Sequence, residues 1–530
     1  MRKSILLLIL FILGFSFSSI SCKKKEDANL KLPHKINAFS KVKSLAPFDS
    51  TLVSSFFTKY PDLQKYQEET TELYRKRNYQ YIWFDTKGML EVSHLLYNKL
   101  NNMEDEGIKV TIPYKEKLDF LFQNAPENQS ANVNDELLIT SLYFFYTHKV
   151  LKGIDDKKIA ELGWYLPRKK QSYVNYLDSI IANPSLINKN EKEVLNEYYS
   201  LKEVLHKYRK IQKENSWNPI VLDSSTTVLK LGDSSQTIAQ IRQRLFILED
   251  ITTDSKSAIY DDVLAAGITK YQKRNGQLEN QTITKKTISS LNIPIEDRIK
   301  TITVNMERCR WIDVDVAKAK ELIVVNIPSY RLTYFKEGKP VFISNVVVGK
   351  DMNKAVIFSA DMRYIVFSPY WNVPTSIIKK EIKPGIARNP NYLSQHNMEW
   401  YNGGIRQKPG PKNSLGLVKF LFPNSNSIYL HDTPSKNLFN EEKRAFSHGC
   451  IRVAKPVELA NEILKNDKNW TPEKINAAMH KGKESWYTLK NKIPVYIGYF
   501  TAWVDNDGVI HFYDDVYQRD DRLATMLFEE

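Results

Sequence analysis

Ser447-His448-Gly449-Cys450-Ile451-Arg452-Val453, preceded by Ser427-Ile428-Tyr429-Leu430-His431-Asp432, is the stretch on which the reading of this chain turns. Cysteine is scarce, with three in 530 residues, at 22, 309 and 450. One of them sits beside a glycine and two candidate bases. A thiol attacks as its thiolate, and free cysteine is mostly protonated at neutral pH. A neighbouring histidine can take that proton. Gly449 has no Cβ, so backbone amides can come close to a substrate oxygen. The set reads as a cysteine nucleophile for acyl transfer. Two plainer readings stand beside it. An isolated cysteine is commonly a small buried hydrophobe. A His-x-Cys pair with an upstream histidine can also belong to a zinc site, but such sites take four ligands, often as paired C-x-x-C or H-x₃₋₅-H spacings. The sequence has no such pair, and no metal or other cofactor is expected.

Outward from this motif the pattern is β. Leu322 to Pro328 reads as a buried strand, Arg331–Phe335 and Val341–Val348 flank a turn at Lys336–Lys339, and Tyr364–Ser368 leads into Pro369-Tyr370-Trp371-Asn372. Residues 375–427 interrupt the strands with Pro, Gly and Asn; a connection of this length is usually functional or disordered. Ser427–Leu430 is strand-like, and neighbouring strand side chains point to opposite faces. The Asp432 carboxylate is therefore expected to point away from His431. A backbone carbonyl can instead hold one ring nitrogen and leave the other for the thiol. Pro456 starts a helix through Leu459, Ala460, Ile463 and Leu464, so Cys450 is not on a helix N-terminus. Val495–Val504 and Val509–Tyr513 read as a hairpin around Asp505–Gly508.

The N-terminus carries Met1-Arg2-Lys3, an apolar run over 5–15, and Ser19-Ile20-Ser21 before Cys22, the pattern of a secretory signal too short for a comfortable span. No other stretch reaches 18 apolar residues. The charge of +15 and apolar content of 42% fit cored domains, roughly three or four of them. They also suit an exported protein that favours anionic envelope polymers or lipid headgroups, unless the lysine content is only a property of the source proteome. Export argues against nucleic acid. Cys309 is expected packed and free, since a 309–450 disulfide would silence the nucleophile.

Residues 45–220 read as mostly helical, with Leu137 to Val150 apolar almost all round and so a buried helix. Residues 225–292 read as a small module, with Ile238, Ile241, Leu245 and Leu248 at helical spacing, then Ala265, Ile268, Tyr271 and Gln272 on a second helix stopped by Asn275-Gly276.

Ile428-Tyr429-Leu430-His431-Asp432-Thr433-Pro434, Leu438-Phe439 and Arg444 to Val453 together resemble the catalytic core of the L,D-transpeptidases, which cross-link bacterial peptidoglycan through a cysteine. Ile451-Arg452 after the cysteine, and the long chain, resemble the large multi-domain periplasmic subgroup. The resemblance implies a multi-domain fold: an α-helical scaffold, a small three-helix module, and a mostly-β catalytic domain with an inserted lid subdomain. It divides the chain into a signal peptide at 1–21, a lipidated tether at 22–44 and a helical scaffold domain at 45–224. A peptidoglycan-binding-like module at 225–293, a linker at 294–320 and the catalytic domain at 321–530 follow, with 375–427 as lid. In the module, Leu278–Thr282 stands where a glycine-rich turn is usual, which leaves glycan binding and a mere spacer both open.

The same resemblance implies Cys450 as nucleophile and His431 as base, oriented by the carbonyl of the next residue. Gly449 and His448 would shape the oxyanion pocket, with the amides of Gly449 and Cys450 as donors; His448 could equally be a loop-bonded structural histidine. Arg452 would bind a stem carboxylate or form a structural ion pair. Tyr370, Trp371 and Asn372 would line the cleft, Trp371 alternatively being core, and Arg444 and Ser447 complete the motif. The implied reaction is attack on the diamino acid carbonyl of a tetrapeptide stem with release of D-Ala. The side-chain amine of a second stem then resolves the thioester. Partners implied are donor and acceptor stem peptides, the membrane through a lipid on Cys22, and wall-synthesis proteins, in the periplasm. The same fold also admits an L,D-carboxypeptidase, a cross-link-cleaving hydrolase or a non-catalytic wall-binding lipoprotein. Carbapenem-type β-lactams should acylate Cys450.

Overall fold

The computed structural model describes residues 45–528 except 124–130, 169–170, 189–193, 223–226 and 351–353. The expected signal peptide, Cys22 and the tether lie outside the described residues. The chain is multi-domain, with a helical N-terminal region and a mostly-β C-terminal domain.

The β pattern from Glu321 folds as Glu321–Asn326, Arg331–Lys336, Lys339–Gly349 and Ile357–Phe367, the second and third joined by the expected turn at Glu337-Gly338. Val418–Leu421, Leu430–His431, Ile451–Val453 and Ser485–Gly498 join them in a ten-stranded sheet. Val418–Leu421 pairs antiparallel with both Leu430–His431 and Ile357–Phe367, so the sheet closes on itself. Closure turns one side chain of every pair inward, and Ile323, Leu332, Val346, Ile365, Phe420, Leu430 and Ile451 are all fully buried.

In the N-terminal region the helix Val133–Thr147 starts at Asn132, whose side chain accepts from the Asn134 amide, and every residue from Asp135 to Thr147 is buried. This is the helix expected from the run at 137–150. It continues as a π-turn, His148–Lys152. Its buried Glu136 accepts hydrogen bonds from Tyr74 Oη (2.7 Å), Ile82 N (2.6 Å) and Trp83 N (3.2 Å).

The expected linker at 294–320 needs correction. Ile295–Arg310 is a helix with ten buried residues, among them Met306 and the free Cys309. The Glu307 carboxylate accepts from Ile154 N, Trp311 Nε1 and Arg310 Nη1, each at 2.7 Å. Arg310 also donates to the carbonyls of Val150 (2.7 Å) and Glu106 (2.9 Å). Polar side chains near the helix ends hid this core role in the sequence. One hydrophobic core runs from Leu73 and Leu142 through Met306 and Cys309 to Ile323 and Ile451. The strand Trp164–Tyr165 adds in parallel to Ile357-Phe358, so scaffold and catalytic domain share a core and a sheet.

Two further boundaries move. Ser485–Gly498 belongs to the main sheet, and the hairpin is only Ala502–Val504 with Ile510–Phe512. The hairpin and the helix Asp520–Phe528 fold back onto the Ile295–Arg310 helix. Arg308 pairs with Asp520 at 2.7 Å, and Thr501 N donates to Asn305 Oδ1 at 2.9 Å. The lid is also shorter at its end and longer at its start than 375–427. Trp371–Asn372, Met398–Tyr401 and Gly404–Gln407 form its three-stranded sheet, packed on Val373, Ile377, Ile378, Ile382 and Ile405. Val418–Leu421 has already returned to the main sheet.

The module has its own core of Ile238, Ile241, Leu245, Ala265, Ile268, Tyr271 and Leu291, on the helices Gln236–Ile247, Asp262–Arg274 and Lys285–Leu291. Gln272 pins the loop that replaces the usual glycine-rich turn, donating to Asn280 Oδ1 (3.2 Å) and the Thr282 carbonyl (2.9 Å). That loop meets the catalytic domain where the Leu278 amide donates to Glu442 Oε1 at 3.0 Å.

Candidate active site

The site is built by strand register. Leu430–His431 runs parallel to Ile451–Val453 with Leu430 opposite Ile451 and His431 opposite Arg452. Leu430, Ile451 and Val453 are buried in the barrel interior. Alternation therefore puts Tyr429, His431, Cys450 and Arg452 together on the other face. Antiparallel pairing sets Lys419 opposite His431, between the buried Val418 and Phe420, and brings it to the same face.

His431 is buried, and its Nδ1 lies 2.5 Å from the carbonyl oxygen of Asp432. A carbonyl only accepts, so Nδ1 carries the hydrogen and Nε2 is left with its lone pair. This is the expected orientation. The Asp432 carboxylate points away, as expected. It accepts from Leu417 N (2.8 Å) and Thr433 N (2.7 Å) and pairs with Lys436 at 2.6 Å. Gly416, at φ +62°, passes so close that a Cβ there would overlap that carboxylate. Burial, and then the charges of Arg452, Lys419 and Lys436, hold the His431 pKa down at about 3. The imidazole is a neutral acceptor at physiological pH.

Cys450 is half-buried. Burial raises its thiol pKa, against the lowering effects of Tyr429, Lys419 and Arg452. Its Sγ lies 3.7 Å from the Ser427 carbonyl oxygen, and the Tyr429 hydroxyl bridges the thiol and Trp371. Thiol and imidazole are thus both neutral at physiological pH. Gly449 has φ +119°, a conformation that other residues adopt only with strain. It swings the chain from Ala445–Ser447, paired with the 339–349 strand, into Ile451–Val453.

The other expected residues divide. Ser447 is buried and clamps the turn, donating from Oγ to the Cys450 carbonyl (2.5 Å) and accepting from the Gly449 amide (3.1 Å). It braces the loop and occupies the Gly449 amide that was expected to serve the oxyanion. His448 faces the lid, its Nε2 lying 3.1 Å from Glu381 Oε1. Arg444 turns away, donating to the Glu441 carbonyl (2.7 Å) and lying over the Tyr330 ring. Trp371 joins the lid sheet to Tyr429. The Tyr370 ring carries the Arg406 guanidinium at 4.1 Å, and Asn372 is exposed opposite Arg406. Arg452 makes no hydrogen bond or ion pair among the described residues, and its Nε is shielded without an acceptor. The structural ion pair is therefore not there.

Tyr429, Lys419 and Glu381 were missed. Tyr429 is two residues from His431 and so faces the same way. Lys419 was hidden by counting 418–421 in the lid, although Val-Lys-Phe alternates as a strand does. Cavities of about 500 and 300 Å³ open in the scaffold around His148 and Lys152, and neither is lined by a cysteine. Among the described residues no cluster of three or more His, Cys, Asp or Glu could hold a metal ion, and no helix is long and apolar enough to cross a membrane.

A closed sheet thus brings a cysteine, a carbonyl-pinned histidine and an inserted lid together. Residues 320–476 match the L,D-transpeptidase catalytic domain, and residues 68–205 match a scaffold domain. A Haemophilus influenzae protein named "Putative L,D-transpeptidase" is 32% identical over 222 residues, covering 38% of this chain and 45% of the relative. Less than half of that relative's length is thus matched. Similar solved structures include an L,D-transpeptidase from Stackebrandtia nassauensis (15% identity, 52% of this chain and 96% of that one, TM-score 0.24). Another is an L,D-transpeptidase from Mycobacterium smegmatis (11%, 34% and 59%, TM-score 0.20). Scores this low carry no weight for the site. The chain thus carries an L,D-transpeptidase catalytic domain together with a scaffold domain.

Proposed function

We propose that the chain forms peptidoglycan cross-links between two diamino acids. Cys450 Sγ attacks the carbonyl carbon of the diamino acid at the L–D bond of a donor tetrapeptide. The thiol proton passes to His431 Nε2 and then to the departing amine of D-Ala. The side-chain amine of an acceptor stem next attacks the thioester, His431 takes its proton, and the thiol is restored. The observation that carries this reading is the shared strand face of Cys450 and His431, with Nδ1 held by the Asp432 carbonyl. The lid supports transfer over hydrolysis, because excluding water protects a thioester. The sequence pattern over 1–22 supports export and lipidation at Cys22, hence action in the periplasm from a membrane anchor. A thiol in such a cleft should also be acylated by carbapenems.

The test is digestion of purified wall stems by the 23–530 protein, with Cys450→Ser alongside and mass spectrometry of products. Dimers linked through two diamino acids, absent with the variant, are expected. Shortened monomers that depend on Cys450 would instead mean that water takes the acyl group, and no Cys450-dependent product would overturn the enzyme reading.

A further inference from the structure

Lys419 and Arg452 are half-buried cations flanking the nucleophile on one strand face, each with its pairing capacity unused. Lys419 sits in register with His431, its Nζ 4.0 Å from the Tyr429 ring centroid. Neither side chain makes a hydrogen bond or ion pair among the described residues, and Arg452 Nε is shielded from water with no acceptor. The acidic groups around them are already engaged. Asp432 is taken by two amides and Lys436. Glu381 faces His448. Glu484 accepts from Tyr370 N (2.8 Å) and Trp486 Nε1 (2.9 Å).

A partly desolvated charge without a counterion is costly, and two side by side are more so. Such an arrangement makes sense when the ligand brings the opposite charge. The two cations also oppose charging of His431, since a third positive charge would have to form between them. A carboxylate bound there removes that opposition at the moment the base must take the thiol proton.

We propose that Lys419, together with Arg452, forms a carboxylate subsite that holds a free carboxylate of the donor stem beside Cys450 and makes the enzyme discriminate against amidated donors. This rests on the transpeptidase reading above. Two carboxylates on such a donor share the chemistry, the terminal one of the released residue and that of the diamino acid.

The experiment compares three synthetic tetrapeptide donors on the 23–530 protein: free acid, C-terminal amide, and amide at the diamino acid carboxylate. Cys450-dependent release of the terminal residue is followed as kcat and KM. Wild type should prefer the free acid over one of the two amides by about tenfold or more, and the disfavoured amide identifies the carboxylate held. Lys419→Met should lose that preference by slowing only on the free acid, and Lys419→Arg should keep it. Equal rates on all three donors with wild type would overturn the subsite and leave the transpeptidase reading standing; that arm needs no variant to fold. Equal slowing of Lys419→Met on every donor would assign Lys419 a structural role and overturn the proposal. No release from any donor would instead remove the transpeptidase reading, and the subsite with it.

Discussion

Around Glu307, in the helix that joins the scaffold to the catalytic domain, each buried charge has its partners. Two N–H groups and Arg310 satisfy the carboxylate, and Arg310 is shared among Glu307 and the Val150 and Glu106 carbonyls. Around Cys450 the charges are left open. Lys419 and Arg452 lack counterions, and His431 is kept neutral between them. The two regions lie in one continuous core yet treat buried charge oppositely. Satisfied charge fixes one packing arrangement; unsatisfied charge is stability withheld for a ligand.

Breaking the active face should cost rate and little stability. His431→Gln removes the proton acceptor, and Cys450-dependent release of the terminal residue should fall by about 10²- to 10⁴-fold, with the melting temperature near that of wild type. A fall of less than tenfold would mean another group takes the proton. Breaking the scaffold network should do the reverse. Glu307→Ala leaves Arg310 without its counterion and two N–H groups without acceptors, at about 3–5 kcal/mol by urea denaturation. Lys419→Met, which removes an unpaired charge, should leave the midpoint unchanged or raise it. Similar losses in both variants would erase the contrast.

The contrast extends to pH. His431 titrates ordinarily near 6.5 and is held at about 3 in the fold, while Glu136, buried in the scaffold, is raised from 4.5 to about 7. Between these limits the unfolded chain binds a proton at His431 that the folded chain refuses, so that group makes stability rise with pH. From pH 4.5 to 7 the folded chain holds a proton on Glu136 that the unfolded chain has lost, so that group makes stability fall with pH. Each slope is about 1.4 kcal/mol per pH unit, and between pH 4.5 and 6.5 they oppose each other. Glu136→Gln deletes the falling one. Denaturation series across that range should then show a steeper rise than wild type, and parallel curves would refute the assignment.

The smallest effect should come from His448→Gln. This pair with Glu381 is half exposed on both sides, so its loss should change stability by less than about 1 kcal/mol. A larger change in the thermal melt would mean that the lid is held at this point more tightly than an exposed pair allows.

Much of the site is legible in the sequence. Cys450 as a candidate follows from residue type and His431 from the family resemblance, the carbonyl-held Nδ1 follows from the two-residue period of a strand, and the helix after Pro456 follows from its fixed φ. The buried 133–147 helix and the module's core positions are written in apolar spacing. The Ile295–Arg310 helix was misread because Glu307, Arg308 and Arg310 are polar by type. Only their distant partners, 112 to 204 positions away in the chain for Arg310, make them core. Ser447, His448 and Arg444 stood out as motif members, and motif membership says that a residue matters without saying what it touches.

The sequence by itself pointed to Cys450 and His431 as the candidate reactive pair and determined the β character of the domain that carries them, because those depend on side-chain chemistry and local period. Only the tertiary structure decided that Lys419 joins them, that Arg452 has no partner, that His448 faces the lid, and that scaffold and catalytic domain share one core. Each of these is set by which distant strand or helix pairs with which, and pairing across long loops leaves no periodic signature in the chain.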